Sequence, residues 1–219
     1  MKNKQIIIAT PCAYGQMAME YVSSLVETIR LAESLGISIY PLFIGNDALI
    51  QRCRNDLVKM AYESKVDAMV FIDADMEWNP QWVIDLVNRD EDVVGGTARK
   101  KTDDAELYAC KILDTTIHDN GLIKCAGIGT GFLKLSAKAI SALWEVSEAY
   151  NTERGECRMV FEVRVVDADL WSEDIFMCTK LAQAGLDVWV DPNMTCNHIG
   201  TKKYQGNLAG FINRLKQHE

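Results

Sequence analysis

Short apolar runs without alternation recur in the first half of this chain, each followed by apolar positions at helical spacing. Residues 5–9 are Ile-rich and predict a buried strand, which Thr10-Pro11 ends because proline cannot continue a ladder. In residues 16–35, Met17, Tyr21, Leu25, Ile29 and Ala32 share one helix face, and Gly36 stops the helix. Residues 37–44 predict a second strand. Asn46 or Asp47 caps a helix to about residue 64, with Leu49, Ile50, Leu57, Val58 and Ala61 turned inward. Strand, helix, strand is the unit from which parallel sheets are built. The next run, residues 68–72, is apolar throughout and reads as a strand buried on both faces; it stops abruptly on Asp73 and Asp75.

Beyond it, Asn79-Pro80 opens a short helix over 81–88, and 92–96 predict a strand leaving through Gly95-Gly96 into the basic run Arg99-Lys100-Lys101. The pattern then changes. Residues 107–112 and 122–126 predict strands around the turn Asp119-Asn120-Gly121. Gly127-Ile128-Gly129-Thr130-Gly131 leads into a strand over 132–135; no helix follows, so this is not a dinucleotide fingerprint. Ser136 caps a helix to about 146, and 156–166 reads as a flexible, charged segment ending in a strand. Ser172 caps the next helix, whose first turn carries Glu173 and Asp174, and Gly185 ends it. Residues 187–191 predict a strand closed by Pro192, with His198 in the loop after it, and 207–216 a final helix. The fold class is α/β, a Rossmann-like, mostly parallel sheet flanked by helices with a smaller mixed or antiparallel C-terminal part. One domain is expected over 1–219, with a nucleotide-binding half to about 101 and an acceptor half after it.

Composition narrows the function only a little. Of the 219 residues, 48% are hydrophobic and 25% charged, the balance of a globular protein. A net charge of −8 leaves no general attraction to nucleic acid or anionic membrane. The seven cysteines have no C-x-x-C spacing and read as reduced thiols of a cytoplasmic protein. No apolar run is long enough for a signal peptide's core or a membrane span.

Candidate chemistry sits at strand ends, where open sheets bind ligands. Asp73 and Asp75, two apart in extended chain, point the same way, which suits either a hard divalent ion with bound phosphates or two solvated loop acids. The basic run suits pyrophosphate or solvent; Arg52, Arg54 and Asn55 suit a phosphate or base, or a solvated helix face. The glycines at 127, 129 and 131 mark close approach of backbone to a ligand or strand. Acids at 173 and 174 favour their helix dipole whether or not they are catalytic.

Four features in this order, Thr10-Pro11, Phe71-Ile72-Asp73-Ala74-Asp75, Ser172-Glu173-Asp174 and Asn197-His198-Ile199-Gly200, with Gly129 to Phe132 between them, resemble the GT-A glycosyltransferases, particularly the small stand-alone enzymes of bacteria and phages. The resemblance covers nearly the whole chain. It implies a nucleotide-diphosphate sugar as donor, a UDP-sugar first among them, with its diphosphate on Mn2+ or Mg2+. Asp75 and His198 would ligate the ion, and Asp73 would contact ribose or a metal-bound water. Thr10, Pro11, Cys12 and Ala13 would line the nucleoside pocket, and Arg54 and Asn55 lie near the base or sugar. Ala74, Lys100, Gly131 and the stacking candidate Trp171 complete the donor set. Asp174, with Glu173 beside it, would be the base of an inverting reaction on a glycan, protein or modified DNA base. A nucleotidyltransferase, a dehalogenase-type phosphatase and a non-catalytic nucleotide-sugar binding module are the rivals. The first would carry a basic Gly-rich loop after the first strand, absent from residues 11–16; the second places its acids on the first strand.

Overall fold

The computed structural model describes residues 3–103, 105–200 and 202–217. β1 (Lys4–Cys12), β2 (Ile37–Gly45) and β3 (Ala68–Ile72) pair in parallel with β1 in the middle, and α1 (Met19–Ser34) and α2 (Ile50–Ser64) make the crossovers. The run expected to be doubly buried fills both faces of the sheet. Met69 and Phe71 enter one core cluster, while Ala68, Val70 and Ile72 enter the other. Side chains alternate across a strand, so only an uninterrupted apolar run can do this.

After β3 come the short β4 (Met76–Glu77), α3 (Pro80–Asn88), β5 (Val93–Ala98), β6 (Cys110–Ile112), β7 (Ile123–Ile128), β8 (Phe132–Ser136) and α4 (Ala137–Val146). Two hairpins follow, β9 (Ala149–Thr152) with β10 (Gly155–Arg158) and β11 (Arg164–Val166) with β12 (Asp169–Trp171), then α5 (Glu173–Gln183), β13 (Val188–His198) and α6 (Leu208–Lys216). Among the described residues a nine-stranded sheet has the order β2-β1-β3-β8-β5-β13-β7-β6, with β4 paired to β13. In it β4, β7 and β8 run against the other six strands. Helices α1 and α3 cover one face; α2, α4, α5 and α6 cover the other.

Three expectations need correction. β1 does not end at Thr10-Pro11 but pairs with β2 through Cys12. On its β3 side the pairing stops at Ala9, and beyond that edge a proline breaks no ladder. Likewise β13 does not close at Pro192. Its pairing with β5 shifts register between Val190 and Thr195, and that irregularity absorbs the proline and carries the strand on to His198. The segment 156–166, expected to be flexible, supplies β10 and β11, one strand of each small hairpin. Helix α2 begins after Leu49, and Asp47 holds its entry by accepting the Leu49 N–H at 2.9 Å.

Candidate active site

β1 lies between β2 and β3, so the chain leaves β1 toward one side for β2 and crosses back for β3. The crevice between the carboxyl ends of β1 and β3 is therefore a topological switch point. A cleft of about 450 Å³ lies there, lined by Pro11, Ala13, Tyr14, Gln16, Met17, Ala18 and Ile50 on one side and Asp73, Ala74 and Asp75 on the other. The Ala18 N–H donates to the Ala74 carbonyl at 2.8 Å and ties the two loops together. Thr10 and Cys12 do not line this cleft. Thr10 is fully buried with its hydroxyl 2.5 Å from that of Tyr21, and the Cys12 thiol is buried behind it.

Asp75 and His198 meet because β4 runs antiparallel to the end of β13, with His198 opposite Met76, and the Ile199 N–H donates to the Asp75 carbonyl at 2.7 Å. His198 Nδ1 lies 3.0 Å from the Arg99 carbonyl, an acceptor only, so Nδ1 carries the proton. In the neutral ring Nε2 then presents a lone pair to Asp75 Oδ2 at 3.4 Å. Two acceptors converging in this way call for a cation between them, and a carbonyl on the far ring nitrogen is the usual support of a ligating histidine. The Lys101 ammonium also pairs with Asp75. Burial raises the Asp75 carboxyl, but the hydrogen bonds and charges of His198 and Lys101 outweigh it and hold the group below its ordinary range. Among the described residues no three His, Cys, Asp or Glu side chains form a metal centre alone. The donor set therefore fits an ion that brings phosphate oxygens with it.

Arg54 is buried, at 3% exposed, and does not face the cleft. Its Nη2 donates to Asp73 Oδ1 at 3.0 Å and its Nη1 pairs with Glu173, so one guanidinium joins the end of β3 to the start of α5. Glu173 is thereby committed to Arg54. Asn55 is also buried. It accepts the Phe161 N–H at 2.7 Å and donates to the Phe161 carbonyl at 3.2 Å, clamping the chain between the two hairpins rather than a nucleotide.

A second, more enclosed cavity of about 100 Å³ adjoins the cleft, sharing Asp73 with it. Its wall includes His198, Lys100, Asp174, Thr97 and the Gly129-Thr130-Gly131 turn. The glycines keep it open. A Cβ on Gly131 would stand 2.6 Å from Met76 Cε and 3.4 Å from Asp73 Oδ2, and one on Gly129 would stand 3.4 Å from Asp174 Oδ2. Asp174 Oδ1 is engaged by the Ser172 hydroxyl and by the Ile175 N–H at 2.7 Å, while Oδ2 has no hydrogen bond among the described residues. A third cavity, of about 240 Å³, shares Asp174, Lys100 and Ala109 with the second and is lined further by Lys111, Leu170 and Trp171. The Lys111 ammonium sits 4.5 Å from the Trp171 ring centroid, so this indole is already covered on one face. Three cavities thus run in series, joined by one carboxylate at each junction. Lys100 has no ion-pair partner among the described residues, leaving a free cation between the second and third. Tyr14, Gln16, Met17 and Ile50 carried no signal in the sequence, because single residues of a loop and a helix start have no period.

No protein-family model matches the chain, and no curated protein matches it. Among solved structures it is similar to A197 from STIV, at 15% identity and a TM-score of 0.58 over 90% of this chain and 86% of that one, which shows a shared fold. Weaker matches are S. aureus TarS 1-349, at 12% identity and TM-score 0.45 over 97% of this chain and 64% of that one, and a provisionally named nucleotide-diphospho-sugar transferase from Desulfovibrio desulfuricans G20, at 10% and 0.43 over 86% and 79%.

Proposed function

We propose that this protein is a metal-dependent glycosyltransferase that moves a sugar from a nucleotide-diphosphate sugar, a UDP-sugar first among them, to an acceptor hydroxyl with inversion. The observation that carries this reading is the unpaired Asp174 Oδ2 at the junction of the second and third cavities, with the switch-point cleft opening at the opposite carboxylate, Asp73. A nucleoside fits the cleft, its diphosphate reaches Asp75 and His198, and its sugar enters the enclosed cavity. A divalent ion held there by Asp75 and His198 would stabilise the negative charge that gathers on the diphosphate as it leaves.

The acceptor approaches from the third cavity. Its hydroxyl oxygen forms a bond to the anomeric carbon while the bond from that carbon to the diphosphate oxygen breaks, and its proton passes to Asp174 Oδ2. Asp174 sits at the N-terminus of α5, where the dipole favours the carboxylate. It is ionised and ready, though a weak base. Arg54 acts through Asp73 and Glu173 and touches no reactant. Lys100 is placed to meet a phosphate oxygen.

Titration with UDP-, GDP- and dTDP-sugars in the presence and absence of Mn2+, followed by measurement of released nucleoside diphosphate, tests this. Asp75→Asn should lose the metal-dependent part of donor binding. Asp174→Asn should bind donor normally and lose turnover by about 100- to 10,000-fold, the usual worth of a positioned base. Normal transfer by Asp174→Asn would remove it from that role, and binding without any release would leave the binding-module reading.

A further inference from the structure

Thr130 is 1% exposed and Thr97 3%, and neither hydroxyl has a hydrogen-bond partner by distance and angle among the described residues. Both line the enclosed cavity between Asp73 and Asp174. The Cys110 thiol, a weak partner, lies beside Thr97; Thr130 has not even that. A buried hydroxyl left unpaired costs free energy, and buried polar side chains nearly always find a partner. The rest of the wall is divided. Met76, Ala98, Ala109 and Phe132 offer apolar surface, while the threonines, carboxylates and Lys100 offer hydrogen-bonding groups. A sugar ring is divided in the same manner, with C–H faces and a hydroxyl rim.

We infer that Thr130, aided by Thr97, selects the donor by hydrogen-bonding a hydroxyl of the transferred sugar. This rests on the glycosyltransferase reading and deepens it. Thr130 stands on the turn whose flanking glycines approach Asp73 and Asp174, so its hydroxyl is fixed relative to both ends of the cavity. The free protein carries an unmet donor and acceptor there, and the correct sugar supplies their partner. An analogue lacking that hydroxyl leaves them unmet, which makes the site discriminate rather than merely accommodate.

Thr130→Val keeps the side chain's shape and removes the hydroxyl, and Thr130→Ser keeps the hydroxyl. Binding of UDP, UDP-glucose, UDP-galactose, GDP-mannose and GDP with Mn2+ would be measured for the three proteins, along with thermal stability without ligand. For the best-bound sugar nucleotide, the monodeoxy analogues of its sugar are added. Thr130→Val should leave unliganded stability unchanged or higher and nucleoside diphosphate binding unchanged. It should weaken the sugar nucleotide about tenfold. Thr130→Ser should stay within about threefold of the natural protein. One deoxy analogue should bind the natural protein about tenfold less well, with that penalty absent in Thr130→Val. If Thr130→Val weakens sugar nucleotide and nucleoside diphosphate equally, or neither, the assignment of Thr130 fails while the transferase reading stands. If the natural protein binds none of these probes, both fail.

Discussion

At the scale of single residues, Arg54 shows how burial reassigns a side chain. The start of α2 reads Gln51, Arg52, Cys53, Arg54, Asn55, Asp56, a largely polar run that suits a solvated face. Arg52 fits that picture, paired on the surface with Asp47, whereas Arg54 and Asn55 lie inside. A helix turns each residue about 100° from the last, so neighbours with similar side chains can have opposite surroundings. Burial disfavours the Arg54 charge, but Asp73 and Glu173 more than restore it. Removing one member of such a group strands the others. Arg54→Met should destabilise the fold by about 3–5 kcal/mol, read as a fall in the urea midpoint. A loss under about 1 kcal/mol, the scale of a surface pair, would mean that solvent reaches the trio. The acids at 73, 75 and 174 were legible because each stands where an apolar pattern stops or a helix starts. Thr97 and Thr130 were not, since nothing in a sequence reveals that a threonine hydroxyl lacks a partner.

At the scale of elements, strands with simple apolar runs and helices with punctuated ends were legible, and those shaped by pairing were not. Asn79, Ser136 and Asn207 each accept a backbone N–H at the helix they precede, as their residue types require. β13 was cut short on paper because a proline ends an isolated strand, and only the register shift beside β5 shows why it does not end this one. The β11–β12 hairpin was hidden by its turn, Asp167-Ala168, which holds φ of 50° and 67° without a glycine. Both positions need the left-handed region that this tight turn demands, and an alanine there carries a steric penalty. Ala168→Gly should therefore stabilise the protein by about 1 kcal/mol, seen as a higher melting temperature. A fall would show that the turn relaxes in solution and that glycine's extra freedom in the unfolded chain outweighs the relief.

For the whole molecule, the α/β architecture and its opening parallel strands followed from the pattern, while the antiparallel β7 and β8 inserted among parallel neighbours did not. All seven thiols are raised above their ordinary range by burial, with Cys110 pushed up to about 11 and Cys53 and Cys178 to about 12. The folded state thus holds these protons above the pH at which the unfolded chain releases them. Above about pH 9 the unfolded state binds fewer protons, so stability falls as pH rises, by about 1.4 kcal/mol per pH unit for each thiol that stays protonated only when folded. Urea titrations at pH 8 and pH 10 should show the loss. An unchanged midpoint would mean that the thiols ionise as readily inside the fold as outside it. At pH 8, iodoacetamide should label the native chain slowly and the denatured chain at all seven positions.

The order of the sheet has a bearing on how the chain is made. β8 sits between β3 and β5, and β13 between β5 and β7, so strands from the later part of the sequence fill gaps among those from the earlier part. While a nascent chain is still short of residue 188, β5 lacks one neighbour and its backbone groups stand open along that side. Vectorial synthesis therefore leaves a sticky seam until almost the last turn of the ribosome's work, and the C-terminal strand that brings His198 to Asp75 is also the one that seals it.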